Sequence, residues 1–484
     1  MENKIGKLIV VRHGESEWNK ANIFTGKQDV HLTRKGFEMS SAMGTLIQDI
    51  EIHKVFASML ARSIETEVCM MSGSKHCSAE TIRYSSALNE RDYGDYTGES
   101  KSEEEKEHGK EETTKLRRAW DYPIHNGETL KMVYERAVPF FIEEILPILL
   151  NGENVLIVSH GNTMRALVKY IEKISDEQIE KVEMPFDEIF IYEVDENGYM
   201  ITKEMRKVGD EKFKVDDSRL RSSTQIIATV GPSSAKPEIL NEMIKAGMDL
   251  ARLNLYWSDP EEHAKRIKII REMSKENNTK VLIIEDLPGP RVQDVEGHTY
   301  EVNASKAITE KDKKLIKFGV DNGVDYISVS FVGNKEDILD CRNEIKKCGG
   351  KQKVIAKIER EVALENLDEI IEASDAIMIA RGDLGNEVSL EKIPFIQNDI
   401  IKKCKLAGKP VITATQMLYT MKDNPSPTRA EVTDVVNAIL EGSDAVMLSE
   451  ETSSGKYPIR AVYVMEHLTI EAENHLKNPK FNSL

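Results

Sequence analysis

A chain of 484 residues is long enough for two large domains, or about three smaller ones, each burying its own core. Its 66 Lys and Arg against 83 Asp and Glu leave a formal charge of -17, which excludes a sequence-independent nucleic-acid surface and makes local basic clusters sites for small anions. No apolar run approaches the ~20 residues of a membrane span and the start MENKIGK becomes a strand too soon for a signal peptide, so a cytoplasmic protein without membrane partners is expected.

In chain order, KLIVVRH reads as a strand, GFEMSSAMGTLIQDI as an amphipathic helix, HKVFAS as a strand and RSIETEVCMM as a helix. After the solvated run EEEKEHGKEE come the helix GETLKMVYERAVPFFIEEILPILL, the strand NVLIVSH, the helix TMRALVKYIEKI and the strand EIFIYEV. This alternation is one α/β domain over residues 1–202; the charged, aperiodic stretch 203–222 reads as a linker. From 223 to 484, eight β-rich segments follow: TQIIATV, LARLNL, KVLIIED, YISVSF, KVIAKIE, AIMIARGD, PVITATQ and AVMLSEE. The gaps between them and the tail read as helices or contain one, so a closed (β/α)8 TIM barrel is expected. Cys69, Cys77, Cys341, Cys348 and Cys404 form no C-x-x-C pair and read as reduced, mostly buried thiols.

The first strand runs from four apolar residues straight into Arg12, His13 and Gly14, and the pattern returns in Ser159, His160 and Gly161. Arg12 and Arg62 can fork onto phosphoryl oxygens while a neutral imidazole attacks phosphorus, and Glu90 is the candidate acid for the leaving oxygen. The stretches RHGESEWN, FTGKQDVHLTRKG, LNERDYGDYTG, LRRAWD and SHGNTMRALVK together resemble cofactor-dependent phosphoglycerate mutase of the histidine phosphatase superfamily. The resemblance implies a phosphohistidine at His13, primed by 2,3-bisphosphoglycerate, with phosphate contacts from Arg12, Asn19, Arg62 and His160 and acid/base work by Glu90. It implies substrate contacts from Thr25, Gly26, Arg91, Tyr93, Lys101, Arg117, Arg118 and Asn162. Between Asp121 and Gly127 only YPIHN remains of a usually longer loop, and a thinner lid favours hydrolysis, so phosphatase activity on a small phosphorylated acid is the rival expectation.

In a barrel the chemistry lies at the carboxyl ends of the strands. Those ends carry Thr229, Arg252 with Asn254, Asp286, Ser330, Lys357 with Glu359, Arg381 with Asp383, Thr415 with Gln416, and Ser449. Lys357 and Glu359, two apart on a strand, share a face; Glu359 and Asp383 are candidate ligands of a hard divalent cation, with Lys357 beside a developing enolate. The motifs TVGPSS, AGMDLARLN, DLPGP, AITEKD, AKIE, IARGDLG, GKPVITATQML and SDAVMLSEET resemble pyruvate kinase. That implies Mg2+ at Glu359 and Asp383 and a pocket for pyruvate or phosphoenolpyruvate made by Arg252, Ser330, Lys357, Thr415 and the backbone of Ala380, Arg381, Gly382 and Asp383. The chain departs from that family at Tyr256 and Trp257, at Gln293 where an arginine is usual, and in QDVEGHTYEVNASK, the short remnant of a lid domain; a C-terminal regulatory domain is expected to be missing. The expected partners are small phosphorylated acids and 2-oxo acids. The barrel is expected to be a poor kinase, with a 2-oxo acid lyase or decarboxylase and a non-catalytic sensor as alternatives, and homo-oligomer formation is left open.

Overall fold

The computed structural model describes residues 5–71, 82–209, 221–294, 297–300 and 306–477, with backbone alone over 292–300. The chain forms two compact units, residues 1–219 and 220–484.

In the first unit, strands β1 (Leu8–Arg12), β2 (Lys54–Ala57), β3 (Ile82–Tyr84), β4 (Val155–Ser159), β5 (Glu188–Val194) and β6 (Met200–Lys207) form one sheet in the order β3-β2-β4-β1-β5-β6. The first four run parallel, β5 antiparallel to β1 and β6 antiparallel to β5. Helices cover both faces, so the central strands read as unbroken apolar runs and residues 8–11 and 155–158 are fully buried. One core, with Val10, Ile157 and Phe141, lies on one face; the other, with Val11, Val158 and Met43, lies opposite. From Lys203 onward β6 falls within the stretch that reads as a linker in the sequence. It is instead an edge strand whose residues, apart from Arg206, face water on both sides, which is why it lacks a hydrophobic period. Arg206 is buried against Asp49 and the Leu46 carbonyl.

The second unit is the expected barrel. Strands β7 (Gln225–Thr229), β8 (Leu250–Asn254) and β9 (Leu282–Asp286) are followed by a hairpin of β10 (Arg291–Asp294) and β11 (Gly297–Tyr300). The barrel then continues through β12 (Tyr326–Val329), β13 (Lys353–Ile358), β14 (Ala376–Ala380), β15 (Val411–Ala414) and β16 (Ala445–Leu448), and β16 pairs back onto β7. Its interior is filled by Ile227, Ile284, Ile355, Met378, Ile412 and Met447 among others. Asp286 and Lys357 stand two residues beyond Ile284 and Ile355 and so face the same interior, one layer nearer the mouth. Cys69, Cys341 and Cys404 are buried thiols, whereas Cys348 is half-buried; Cys77 lies outside the described residues.

Glu285 breaks the pattern. It faces outward between β9 and the overlying helices, is 1% exposed, and neither carboxylate oxygen has a hydrogen-bond partner. A side chain at Gly319 would overlap its Oε2, so the helix Glu310–Asp321 needs glycine there to pass over it. Burial, then the nearby Asp312 charge, push the Glu285 carboxyl well above its ordinary value, so the folded barrel holds a proton that the unfolded chain releases. Stability from this group is therefore full below the ordinary glutamate range and lost as pH rises toward the raised value. Glu285→Met is expected to stabilise the barrel at pH 8 by about 1–3 kcal/mol, the cost of an unsatisfied buried polar group, and by less at pH 4. Urea unfolding of the full chain at both pH values measures the difference.

Candidate functional site

The pairing of β1 with β4 places Arg12 beside Ser159, and the ladder runs one bond further, from the His13 amide to the Ser159 carbonyl (2.9 Å). His13 and His160 therefore leave adjacent strands together, with ring centroids 4.8 Å apart. Gly14 turns the chain tightly: a Cβ there would lie 2.5 Å from the Gly36 carbonyl oxygen. The Gly14 carbonyl accepts a hydrogen bond from His13 Nδ1 (2.7 Å). A carbonyl cannot donate, so Nδ1 carries the proton and Nε2 keeps its lone pair. Burial, then the charges of Arg62 and Arg12, hold the His13 pKa well below the ordinary range, so the ring is neutral at physiological pH and its Nε2 lone pair is available to an electrophile.

His160 carries its proton on the same ring nitrogen. Ser58 Oγ accepts from the Leu60 amide (3.2 Å) and gives its own proton to His160 Nε2 (2.6 Å), leaving Nδ1 protonated, buried and without a partner. Arg12 Nε and Thr25 Oγ1 are also buried and unpartnered. Arg62 is fixed by the carbonyls of Gly26 (2.9 Å) and Gln28 (2.8 Å), and Arg12 by the Met184 carbonyl (2.8 Å) and the face of Phe186 (3.7 Å). Buried donors left open are what a bound oxyanion satisfies.

Arg12, His13, Thr25 and Arg62 wall a cavity of about 120 Å³, together with Asn19, Gly26, Glu90, Tyr93, Lys101, Arg117, Arg118 and Asn162. The cavity thus gathers all but two of the residues expected from the sequence of the first domain. His160, packed ring to ring with His13, is not part of the wall, and Arg91 is fully buried, its Nη2 giving hydrogen bonds to the carbonyls of Leu116 (3.0 Å) and Arg117 (3.1 Å). Arg91 thus supports Arg117 rather than lining the cavity. Glu90 Oε1 accepts from the amides of Arg91 (2.8 Å) and Asn162 (3.3 Å), which fixes its carboxyl group. Asn19 caps its own helix through Ser16, and Asn162 reaches the Tyr93 hydroxyl (3.2 Å).

Four wall residues are additional to that set: Gly161, read from the sequence only as a turn glycine, and Arg165, Glu183 and Met184. Arg165 lies one turn after Asn162 on the helix Gly161–Ile171, and that i,i+3 spacing was the available signal. Glu183 forms an ion pair with Arg118, so an incoming anion must displace a carboxylate already there. Glu183→Gln is expected to lower the KM of a phosphorylated acid about fivefold, the scale of a half-exposed ion pair, with kcat little changed; steady-state kinetics on both proteins test it.

At the barrel mouth the charges pair with one another. Arg252 Nε donates to Asp286 Oδ2 (2.5 Å) and its Nη1 to Thr229 Oγ1 (3.0 Å). Lys357 Nζ meets Glu359 Oε1 (2.8 Å), Ser330 Oγ (2.8 Å) and Asp286 Oδ1 (3.2 Å). Glu359 Oε2 accepts from the Phe331 amide (2.7 Å), and burial, opposed by Lys357 and reinforced by Asp383, pushes its carboxyl up to about 7. Arg291 Nη2 lies 3.9 Å from Asp383 Oδ2. Thr415 and Gln416 both adopt positive φ, and Thr415 Oγ1 accepts from the Gly382 amide (2.8 Å). The Arg381 side chain is held by Asp434 (2.7 Å) and the Thr415 carbonyl (2.8 Å), so only its backbone is available to a ligand. Ala380, at the end of β14, has a buried apolar side chain and likewise offers only its backbone. Tyr256 and Trp257 stack edge to face after β8, with Trp257 54% exposed. The Gln293 side chain lies outside the description.

The model of the histidine phosphatase superfamily (branch 1) matches residues 8–205, and that of the pyruvate kinase barrel domain matches residues 221–306 and 293–462. The two barrel segments overlap over residues 293–306, a stretch that includes most of the β10–β11 hairpin. Pyruvate kinase of Thermococcus litoralis is 37% identical over 341 aligned positions, covering 54% of this chain and 72% of that protein. Pyruvate kinase of Geobacillus stearothermophilus is 36% identical over 342 positions, covering 54% of this chain and 58% of that protein, so the chain spans little more than half of that relative's length. Pyruvate kinase of Clostridium perfringens is 35% identical over 335 positions, with 52% and 71% covered.

Proposed function

Because the chain belongs to the pyruvate kinase family through its barrel and carries a histidine phosphatase superfamily domain ahead of it, we propose that the first domain interconverts 3-phosphoglycerate and 2-phosphoglycerate through a phosphohistidine at His13. The observation that carries this reading is the Nδ1 hydrogen bond to Gly14, which leaves a neutral Nε2 nucleophile among guanidiniums and open donors. The donors Arg12 Nε, Thr25 Oγ1 and His160 Nδ1 fit a phosphoryl group, and 2,3-bisphosphoglycerate would supply the one that primes His13.

Nε2 attacks phosphorus while Arg12, Arg62, Asn19 and His160 take the developing charge on the phosphoryl oxygens. Glu90 gives a proton to the leaving oxygen and takes it back when the other hydroxyl of the phosphoglycerate attacks the phosphohistidine. Lys101, Arg117 and Arg118 hold the far anionic end, and Thr25, Gly26, Tyr93 and Asn162 fix the acid between the two. This second cationic cluster favours a mutase, since a simple hydrolase needs no grip beyond one phosphoryl group. His13→Ala is expected to abolish both acid-labile 32P labelling and turnover. Release of inorganic phosphate from phosphoglycerate as the main wild-type product would overturn the mutase reading in favour of a phosphatase.

For the barrel, the reading is a Mg2+-dependent site for pyruvate or phosphoenolpyruvate with little kinase turnover. Two carboxylates in an oxygen-rich mouth, where burial and then the Asp383 charge raise the Glu359 pKa, fit a hard dication. Glu359 and Asp383 would hold it, and it would polarise a bound 2-oxo acid. Arg252, Lys357 and Ser330 already converge on Asp286, and Lys357 would stand ready to stabilise an enolate oxygen. The exposed Trp257 and the short hairpin in place of a lid leave little to enclose a nucleotide. Asp383→Ala is expected to abolish Mn2+ binding and its tightening by oxalate, both read by water-proton relaxation; no Mn2+ binding by the wild type would overturn the metal site. ADP-dependent pyruvate formation at tens of turnovers per second, the ordinary kinase scale, would overturn the weak-kinase reading.

A further inference from the structure

The cations that grip the far end of the cavity stand on a strap. Helices Lys101–His108 and Lys110–Arg118 meet at Gly109, which has φ +84° and open space around it. The first helix buries no residue and the second only Thr113 and Leu116, so apolar packing does little to fix either. The last carbonyls of a helix have no partners within it. Here they are taken by two guanidiniums from the body of the domain. Arg91 Nη2 reaches Leu116 and Arg117; Arg165 Nη2 reaches Arg118 (2.7 Å) and also Ile179 (2.7 Å), while its Nη1 reaches Asn162 Oδ1 (3.2 Å) and, at the limit of a hydrogen bond, the Arg117 carbonyl (3.5 Å).

Arg165 belongs to the helix Gly161–Ile171, whose amino end carries His160 and Asn162 beside the nucleophile. It therefore joins the phosphoryl end of the cavity to the strap that carries Arg117 and Arg118. We propose that Arg165 is a positioning residue that sets the distance between the His13 phosphoryl site and the strap cations, and so selects acids whose second anionic group lies at the spacing found in a phosphoglycerate. This rests on the reading of the first domain as a phosphohistidine enzyme acting on such acids. Holding Arg165 against Arg118 and Arg91 is electrostatically unfavourable: burial, then those two charges, lower it to about 10. Its planar fork reaches acceptors in several directions at once, which a lysine ammonium cannot do from one nitrogen, so charge alone does not replace it.

The experiment uses the full chain and two phosphoryl donors, 2,3-bisphosphoglycerate and phosphoramidate, the second too small to reach the strap. Arg165→Lys and Arg165→Met are expected to raise the KM for 3-phosphoglycerate at least tenfold and to increase the share of phosphohistidine lost to water. Labelling of His13 by phosphoramidate should change less than twofold, a split that general loss of folded protein does not produce. Equal slowing with both donors, or an unchanged KM in Arg165→Lys, overturns the positioning role. Failure of the wild type to form phosphohistidine with either donor overturns the underlying reading and this inference with it.

Discussion

Parallel pairing lines up the carboxyl ends of neighbouring strands, and both chemical centres of this chain follow from it. In the first unit the β1–β4 pair brings together two histidines far apart in sequence, because each occupies the first position beyond its strand. In the second, eight parallel strands closed on themselves deliver Thr229, Arg252, Asp286, Ser330, Lys357, Glu359, Asp383 and Thr415 to one mouth. Buried apolar strands supply the rigidity, and their last residues together with the first ones beyond them supply the chemistry.

The two centres treat charge differently. Around His13, cations outnumber acids, and buried donors on Arg12, Thr25 and His160 stay open, so the folded domain retains an unmet demand for an anion. At the barrel mouth Asp286 answers Arg252 and Lys357, Glu359 answers Lys357, and Asp434 answers Arg381. That network largely neutralises itself, and a ligand must compete with contacts already made. Removing one member leaves its partner buried and uncompensated, which costs about 3–5 kcal/mol in comparable buried pairs.

Much of this is legible in the amino-acid sequence. Apolar runs ending abruptly in Arg12–His13 and Ser159–His160 marked strand ends, and eight further runs at regular spacing marked the barrel. What escaped reading has physical causes. β6 is polar because both its faces are wet, so it carries no period. Arg91 and Arg165 act on backbone carbonyls, and a carbonyl leaves no trace in residue identity. The side chain of Arg381 looked like part of the barrel mouth, yet Asp434, 53 positions later, draws it away. Long-range pairings of this kind depend on the closed geometry of the barrel rather than on local spacing.

The wet outer strand also bears on how the protein may be divided. A fragment ending at residue 202, where charge first displaces periodicity, would remove most of β6 and uncover the backbone edge of β5, whose Ile189, Ile191 and Tyr192 are buried. A bare, flat edge of that composition recruits strands from other molecules, so such a fragment would tend to precipitate. Cutting after Gly209 keeps the edge strand, and its exposed Lys203, Glu204 and Lys207 then act as a solubilising fringe for the sheet.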